Sequence, residues 1–185
     1  MLKKTFALFL TATLLLTGCG GKKQQDNGGP ANAQEVLQSV WDTFSDEEKF
    51  PVYGGDSANM VDGGPGNFDI ADTEGLRYNL LVPEAQIASV AQAASMTHGM
   101  MVNNFTCGVF RLTEGTSAKT FADAMAQSYK DNQWLCGTPE QMLVATIGDG
   151  CVVSAFGLTD VLSVFRQKLT AVYPDAQILH TQTIA

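Results

Sequence analysis

The triplet Gly148-Asp149-Gly150 parts two β-rich runs, Gln141 to Ile147 and Cys151 to Phe156. A glycine-flanked turn between such runs is a strong short-range signal of an antiparallel hairpin. The neighbouring segments extend the pattern. Upstream, Thr116 or Ser117 caps a helix whose Phe121, Ala122, Met125 and Tyr129 share a face, ending near Asn132. Downstream, Thr159 or Asp160 opens a helix carrying Val161, Leu162, Phe165, Leu169 and Val172, stopped by Pro174. Met100 to Leu112 and Ala176 to Ile184 supply the outer strands. The resulting βαββαβ order over about 100–185 predicts an α+β fold of ferredoxin-like type. In it two helices cover one face of a four-stranded antiparallel sheet, with the first and third strands central. The strand of Cys151 should then pair antiparallel with that of Cys107. A Cys107–Cys151 disulfide requires the two to stand opposite each other, and a one-residue slip turns them to opposite faces.

Before this core, Ala33 to Phe44 reads as a helix. Asn32 is its cap, Glu35 completes a capping box, and Val36, Leu37, Val40, Trp41 and Phe44 lie on one face. From Ser45 to about Asn79 the chain is rich in Gly and Asp and reads as a long loop. Pro83 suits the first turn of a second helix, with Ile87, Val90, Ala91 and Ala94 inward and Gly99 as its stop. Residues 33–185 thus form a single domain, its extra N-terminal helices and loop packed on the second sheet face or an edge.

The chain begins with Lys3 and Lys4, then runs uncharged from Thr5 to Thr17. That stretch is shorter than the ~20 apolar residues that span a bilayer, and it matches the h-region of an export signal. It ends Leu16-Thr17-Gly18-Cys19, which resembles the lipobox of bacterial lipoproteins. The resemblance implies cleavage after residue 18 and a diacylglycerol on Cys19, with the mature chain anchored to the outer side of a cell membrane. Multiple acyl chains, at ~0.8 kcal/mol per buried methylene, make such an anchor stable. From Gly20 to Asn32 no large apolar side chain occurs, so residues 19–32 read as a flexible tether. At ~5–6 Å × √n it reaches roughly 20 Å.

The chain carries 11 basic and 19 acidic residues, a net charge of −8. This balance disfavours nucleic acid as a partner. Beyond Cys19, the cysteines are Cys107, Cys136 and Cys151, too widely spaced for a zinc site. An exported domain can hold one disulfide among them, and a reducing habitat leaves all three free. Three segments, Asp69 to Leu76, Trp134-Leu135-Cys136 and Gly148 to Val153, stand in that order behind the lipobox. Together they resemble a family of Firmicutes lipoproteins with a domain of unknown function, over about residues 69–180. The resemblance brings no catalytic residues with it.

No catalytic motif is legible. Only His98 and His180 could serve Cys107, Cys136 or Cys151 as a base, and no spacing favours a pair. The glycine-rich stretches lack the Lys and Ser/Thr of a phosphate loop. Asp56, Asp62, Asp69 and Asp72 miss calcium-loop spacing and read as turn formers. We therefore expect no metal, no cofactor and no catalytic set. Trp41 and Trp134 are both expected in the core. Pro51 to Asn79 is long for a connection inside a compact domain, and such loops are usually functional or disordered. Tyr53, Asn59, Asn67, Phe68 and Tyr78, with Met60, make it a candidate rim of a recognition surface. The expected function is a membrane-anchored binding or accessory module, its partner an envelope protein or a small ligand. The alternative is a small cell-envelope hydrolase.

Overall fold

The computed structural model describes residues 30, 32–135 and 137–184. The export signal 1–18, Cys19, nearly all of the tether and Cys136 lie outside the described residues. The rest is an α+β fold: one antiparallel sheet of eight strands, with five α-helices.

The C-terminal elements follow the expected order. They are β5 (Phe105–Leu112), α4 (Ala118–Asp131), β6 (Gln141–Ile147), β7 (Cys151–Gly157), α5 (Thr159–Val172) and β8 (Gln177–Thr183). The hairpin forms as predicted, with Ile147 opposite Cys151 and Gly148 at φ +59°. Ser117 caps α4 by accepting from Thr120 N. Neither Thr159 nor Asp160 is the N-cap of α5. That position is Leu158, and the Thr159 N–H donates to Glu140 Oε2 at 2.9 Å.

The strand order departs from the ferredoxin-like expectation. β8 pairs with β6, not with β5, so these strands lie β5-β7-β6-β8. The unit β5-α4-β6 steps across β7, and β7-α5-β8 steps across β6 in the same direction. Their first strands are antiparallel, so one crossover hand places α4 and α5 on opposite faces. Two separate cores result. Cys107, Cys151, Val153 and Ala155 meet α5 residues Leu162, Phe165 and Leu169. Val152, Phe156, Met142 and Val144 meet α4 residues Phe121, Met125 and Tyr129. All seven residues of β7 are buried, the signature of a strand covered on both faces.

The slot beside β5 is taken by β4 (Val90–His98), which pairs with it antiparallel. The predicted second helix is thus confined to the four-residue α3 (Glu84–Ile87). Ala-rich sequence favours helix, but here burial on both faces overrides it. Ala94 and Met96 enter the α5-side core, while Val90 and Ala93 enter the other. Helix α1 (Ala33–Trp41) packs over β4 and β5, and the small Ala94 side chain permits the approach. Asn32 caps α1, accepting from Gln34 and Glu35 N–H groups, but Glu35 makes no reciprocal capping-box bond.

The glycine-rich stretch is not a loop. It contains β1 (Val52–Gly54), β2 (Val61–Asp62), β3 (Gly66–Phe68) and α2 (Thr73–Tyr78). β1 and β3 both pair with β4 along the edge that β5 leaves free. Asp56 fastens the stretch: its carboxylate accepts from the N–H groups of Ala58, Asn59 and Asp69 and from the Asn59 amide. Asp72 caps α2 through Gly75 N. These are the turn-forming roles expected of the aspartates. Trp41 is core, as expected, and its Nε1 donates to the Gly63 carbonyl. Among the described residues no helix is long and apolar enough to cross a membrane.

Candidate binding groove

Helix α4 ends before it has covered the whole sheet face. Past its C-terminus lies one cross-strand row, Thr97 on β4, Thr106 on β5 and Phe156 on β7, all three buried. With Ser95 these residues floor a groove of about 500 Å³, within the ~300–1,000 Å³ usual for ligand sites. One wall comes from Tyr53, Gly55 and Phe68, and continues through Tyr78 to Leu81. Asn132 to Leu135, the exit from α4, forms the facing wall. Val102 and Asn103, in a 3₁₀ turn before β5, make a lip. The Asn103 amide donates to the Gly137 carbonyl, tying lip to wall.

The groove is chemically uniform in one respect. Its lining contains no Asp, Glu, Lys, Arg or His, in a chain with 30 such acids and bases besides its histidines. The lining consists of aromatic and aliphatic side chains, hydroxyls, carboxamides and Gly55. The Ser95 hydroxyl is engaged with the Gly55 carbonyl at 2.9 Å, and that of Thr106 with Val102 O at 2.9 Å. Trp134 is the exception. Its ring meets Phe156 edge-on, with centroids 4.9 Å apart, yet its indole Nε1 is buried with no protein acceptor. A buried donor left without a partner costs about 1–3 kcal/mol. Such orphans in native folds call for an explanation, and this one belongs to a residue that also lines the groove.

Strain collects at the same place. Leu81 has φ +56°, the left-handed region that costs a branched-chain residue on the order of 1–3 kcal/mol. Its carbonyl accepts from the Ser128 hydroxyl of α4 at 2.7 Å, which holds the wall in position. Three further hollows, of about 650, 510 and 700 Å³, are lined in part by charged side chains, and none has an orphaned buried donor among its lining residues. The other orphaned buried nitrogen, Arg111 Nη1, borders none of the four.

Of the residues read as a recognition rim, Tyr53, Phe68 and Tyr78 do line the groove. Asn59 and Asn67 do not. The Asn59 amide is spent on Asp56, and Asn67 is exposed on β3 opposite Ala94. Met60 is exposed, outside the lining. Trp134, expected in the core, belongs half to it and half to the groove. Only its place after a helix end hinted at this. The floor residues Thr97 and Thr106 were hidden from sequence reading, because the role of β4 as a strand was.

Among the described residues no nucleophile–base pair forms. Burial pushes the Cys107 thiol above its ordinary range and the Cys151 thiol up to about 12, which keeps both protonated and unreactive. His180 hydrogen-bonds to Asp123 at 2.8 Å, and His98 Nδ1 accepts from the Met100 and Met101 N–H groups. Neither histidine bonds to a hydroxyl or thiol among the described residues. Lys119, then His180, hold the Asp123 carboxyl below its usual range. No cluster of three or more His, Cys, Asp or Glu suited to a metal occurs among the described residues. No family model matches the chain, and comparison with curated proteins and with solved structures finds no match.

Proposed function

We propose that this chain is a lipid-anchored, extracytoplasmic binding module that takes an uncharged ligand in the groove. The observation that carries the reading is a groove of about 500 Å³ lined only by uncharged side chains, aromatic residues and carboxamides among them. The carboxamides of Asn79, Asn132 and Gln133 would offer hydrogen bonds to such a ligand, and the aromatic walls would supply apolar contact. The anchor rests on Leu16-Thr17-Gly18-Cys19, and the resemblance over about 69–180 supports a Firmicutes envelope lipoprotein. Accessory binding fits better than hydrolysis, because the buried thiols and the engaged histidines leave the groove without a nucleophile or base.

Thermal shift of the intact chain tests the site, using neutral oligosaccharides, uncharged peptides and envelope fragments. A ligand at 100 times its Kd stabilises by about 2.7 kcal/mol, which raises the Tm by roughly 5–10 °C for a chain this size. The shift should shrink in Leu135→Asp. A screen in which nothing shifts the wild type would remove the reading. The anchor has its own test: Cys19→Ala should abolish palmitate labelling and leave an unprocessed precursor.

A further inference from the structure

The sheet ends in two unlike edges. At one, β2 is two residues long, carries Asp62 and runs into Gly63-Gly64-Pro65. Short strands, charges and proline are devices by which edges avoid pairing with other chains. At the other, β8 runs seven residues, Gln177–Thr183, with no Asp, Glu, Lys, Arg, Gly or Pro. A bulge at Leu179, between the Ala145–Ile178 and Val144–His180 pairs, is its one such device. Beyond the bulge, Thr181, Gln182 and Thr183 are regular and exposed. The Ile184 N–H donates to the Glu140 carbonyl. Alternation along an antiparallel ladder then turns the backbone groups of Gln182 toward β6 and those of Thr181 and Thr183 outward. Among the described residues nothing pairs with that outer edge.

We infer that β8 is a dimer interface, joined antiparallel to β8 of a second copy of this chain about a two-fold axis at Gln182. The edge itself selects this partner. Thr181-Gln182-Thr183 reads the same in both directions, so antiparallel self-pairing sets each Thr against Thr and Gln182 against Gln182. The outward N–H and C=O groups of Thr181 then exchange hydrogen bonds with those of Thr183 in the second copy, and the reverse. All four outward groups on each copy are satisfied. Cross-strand Thr–Thr pairs are among the favourable ones, and within the strand no like charges meet. A contact of this symmetry is self-complementary and closed. Assembly stops at two copies, because the edges left over are the blunted β2 strands. Joining β8 to β2 head-to-tail would offer a ladder of only two residues. The edge lies outside the groove lining, so this interface and the ligand reading stand or fall separately.

Sedimentation of the intact chain, in detergent micelles of known mass, counts the copies, and amide exchange locates the contact. The wild type should sediment as a dimer. Its Thr181 and Thr183 amides should exchange slowly and speed up on dilution, while that of Gln182, which faces β6, stays protected throughout. Thr181→Pro deletes an outward N–H and leaves the β6 ladder intact, a placement that edge strands tolerate. It should weaken the dimer about thirtyfold, the equivalent of two symmetry-related hydrogen bonds of ~1 kcal/mol each. Thr183→Lys, which sets a cation beside the axis in each copy, should weaken it as well. Circular dichroism checks that each variant is folded. A chain that stays monomeric, with Thr181 and Thr183 exchanging freely, would overturn the proposal. So would a dimer that ignores both variants. If the isolated chain is monomeric and these amides gain protection only when cell envelopes are added, the edge takes a strand from another protein, and self-pairing falls.

Discussion

Cys107 stands opposite Ala155, and Cys151 opposite Arg111, so the two thiols share one sheet face but lie four residues apart along it. At ~3.3 Å per residue that is roughly 13 Å, well beyond the ~7 Å Cα limit for a disulfide. The antiparallel pairing of their strands is as expected; the bridge is not available. Both thiols should therefore resist iodoacetamide in the native chain and react only in denaturant. Peptide mass spectrometry resolves each cysteine separately, and a 107–151 cross-linked peptide would contradict the register.

Asp56 should be the main acid-sensitive fastening of the N-terminal half. Burial opposes its ionisation, but hydrogen bonds from the Asn59 side chain and the Asp69, Ala58 and Asn59 N–H groups outweigh it. They hold the pKa at about 2. Because this lies below the unfolded value of ~3.9, the unfolded chain binds more protons between pH 4 and 2. The stabilisation, on the order of 2 kcal/mol, is complete above pH 4 and lost as pH falls through 2. Asp56→Asn should cost about that much in urea titrations at pH 7 and far less at pH 2.

Gly54 and Gly66 let β1 and β3 meet without side chains between them. A Cβ on Gly54 would lie 2.1 Å from Gly66 N, and one on Gly66 would lie 2.6 Å from Gly55 N. Gly54→Ala must force backbone apart, at a cost of about 3 kcal/mol, the upper end for overpacking. Hydrogen exchange should show the loss first in residues 52–68. Unchanged protection there would mean that the two strands are not so close.

Tyr129 and Ser154 share a buried 2.6 Å hydrogen bond between α4 and β7. Burial raises the Tyr129 phenol above its ordinary range, so the pair stays neutral. Tyr129→Phe strands the Ser154 hydroxyl and should cost about 1–3 kcal/mol. Adding Ser154→Ala should recover part of that loss, with a coupling of about 1 kcal/mol in a double-mutant cycle. Strict additivity would show the bond to be inconsequential.

The C-terminal half was legible because each element had its own signal: the Gly148 turn, the Ser117 cap, the spacing of Phe121, Met125 and Tyr129. What failed was tertiary. Nothing local in Gln177 to Thr183 says which sheet edge it joins, and that choice alone moved α5 to the other face. β4 failed for a related reason, since Val90 to His98 carries the Ala content of a helix and becomes a strand only between two cores. The glycine-rich stretch misled through composition. Its short strands are held by backbone pairing to β4 and by Asp56, which leave no hydrophobic period to read. Tyr53, Phe68 and Tyr78 were found as aromatics among glycines; their partners Thr97, Thr106 and Trp134 needed the fold.

The opposed placement of the helices also gives the molecule a front and a back. Helix α1 enters the fold on the α5 side of the sheet, and the groove opens on the α4 side. Asn32, the cap of α1, therefore stands at the end of a helix that packs on the face opposite the groove. A molecule approaching from the α4 side thus meets the groove without first meeting α1 or α5.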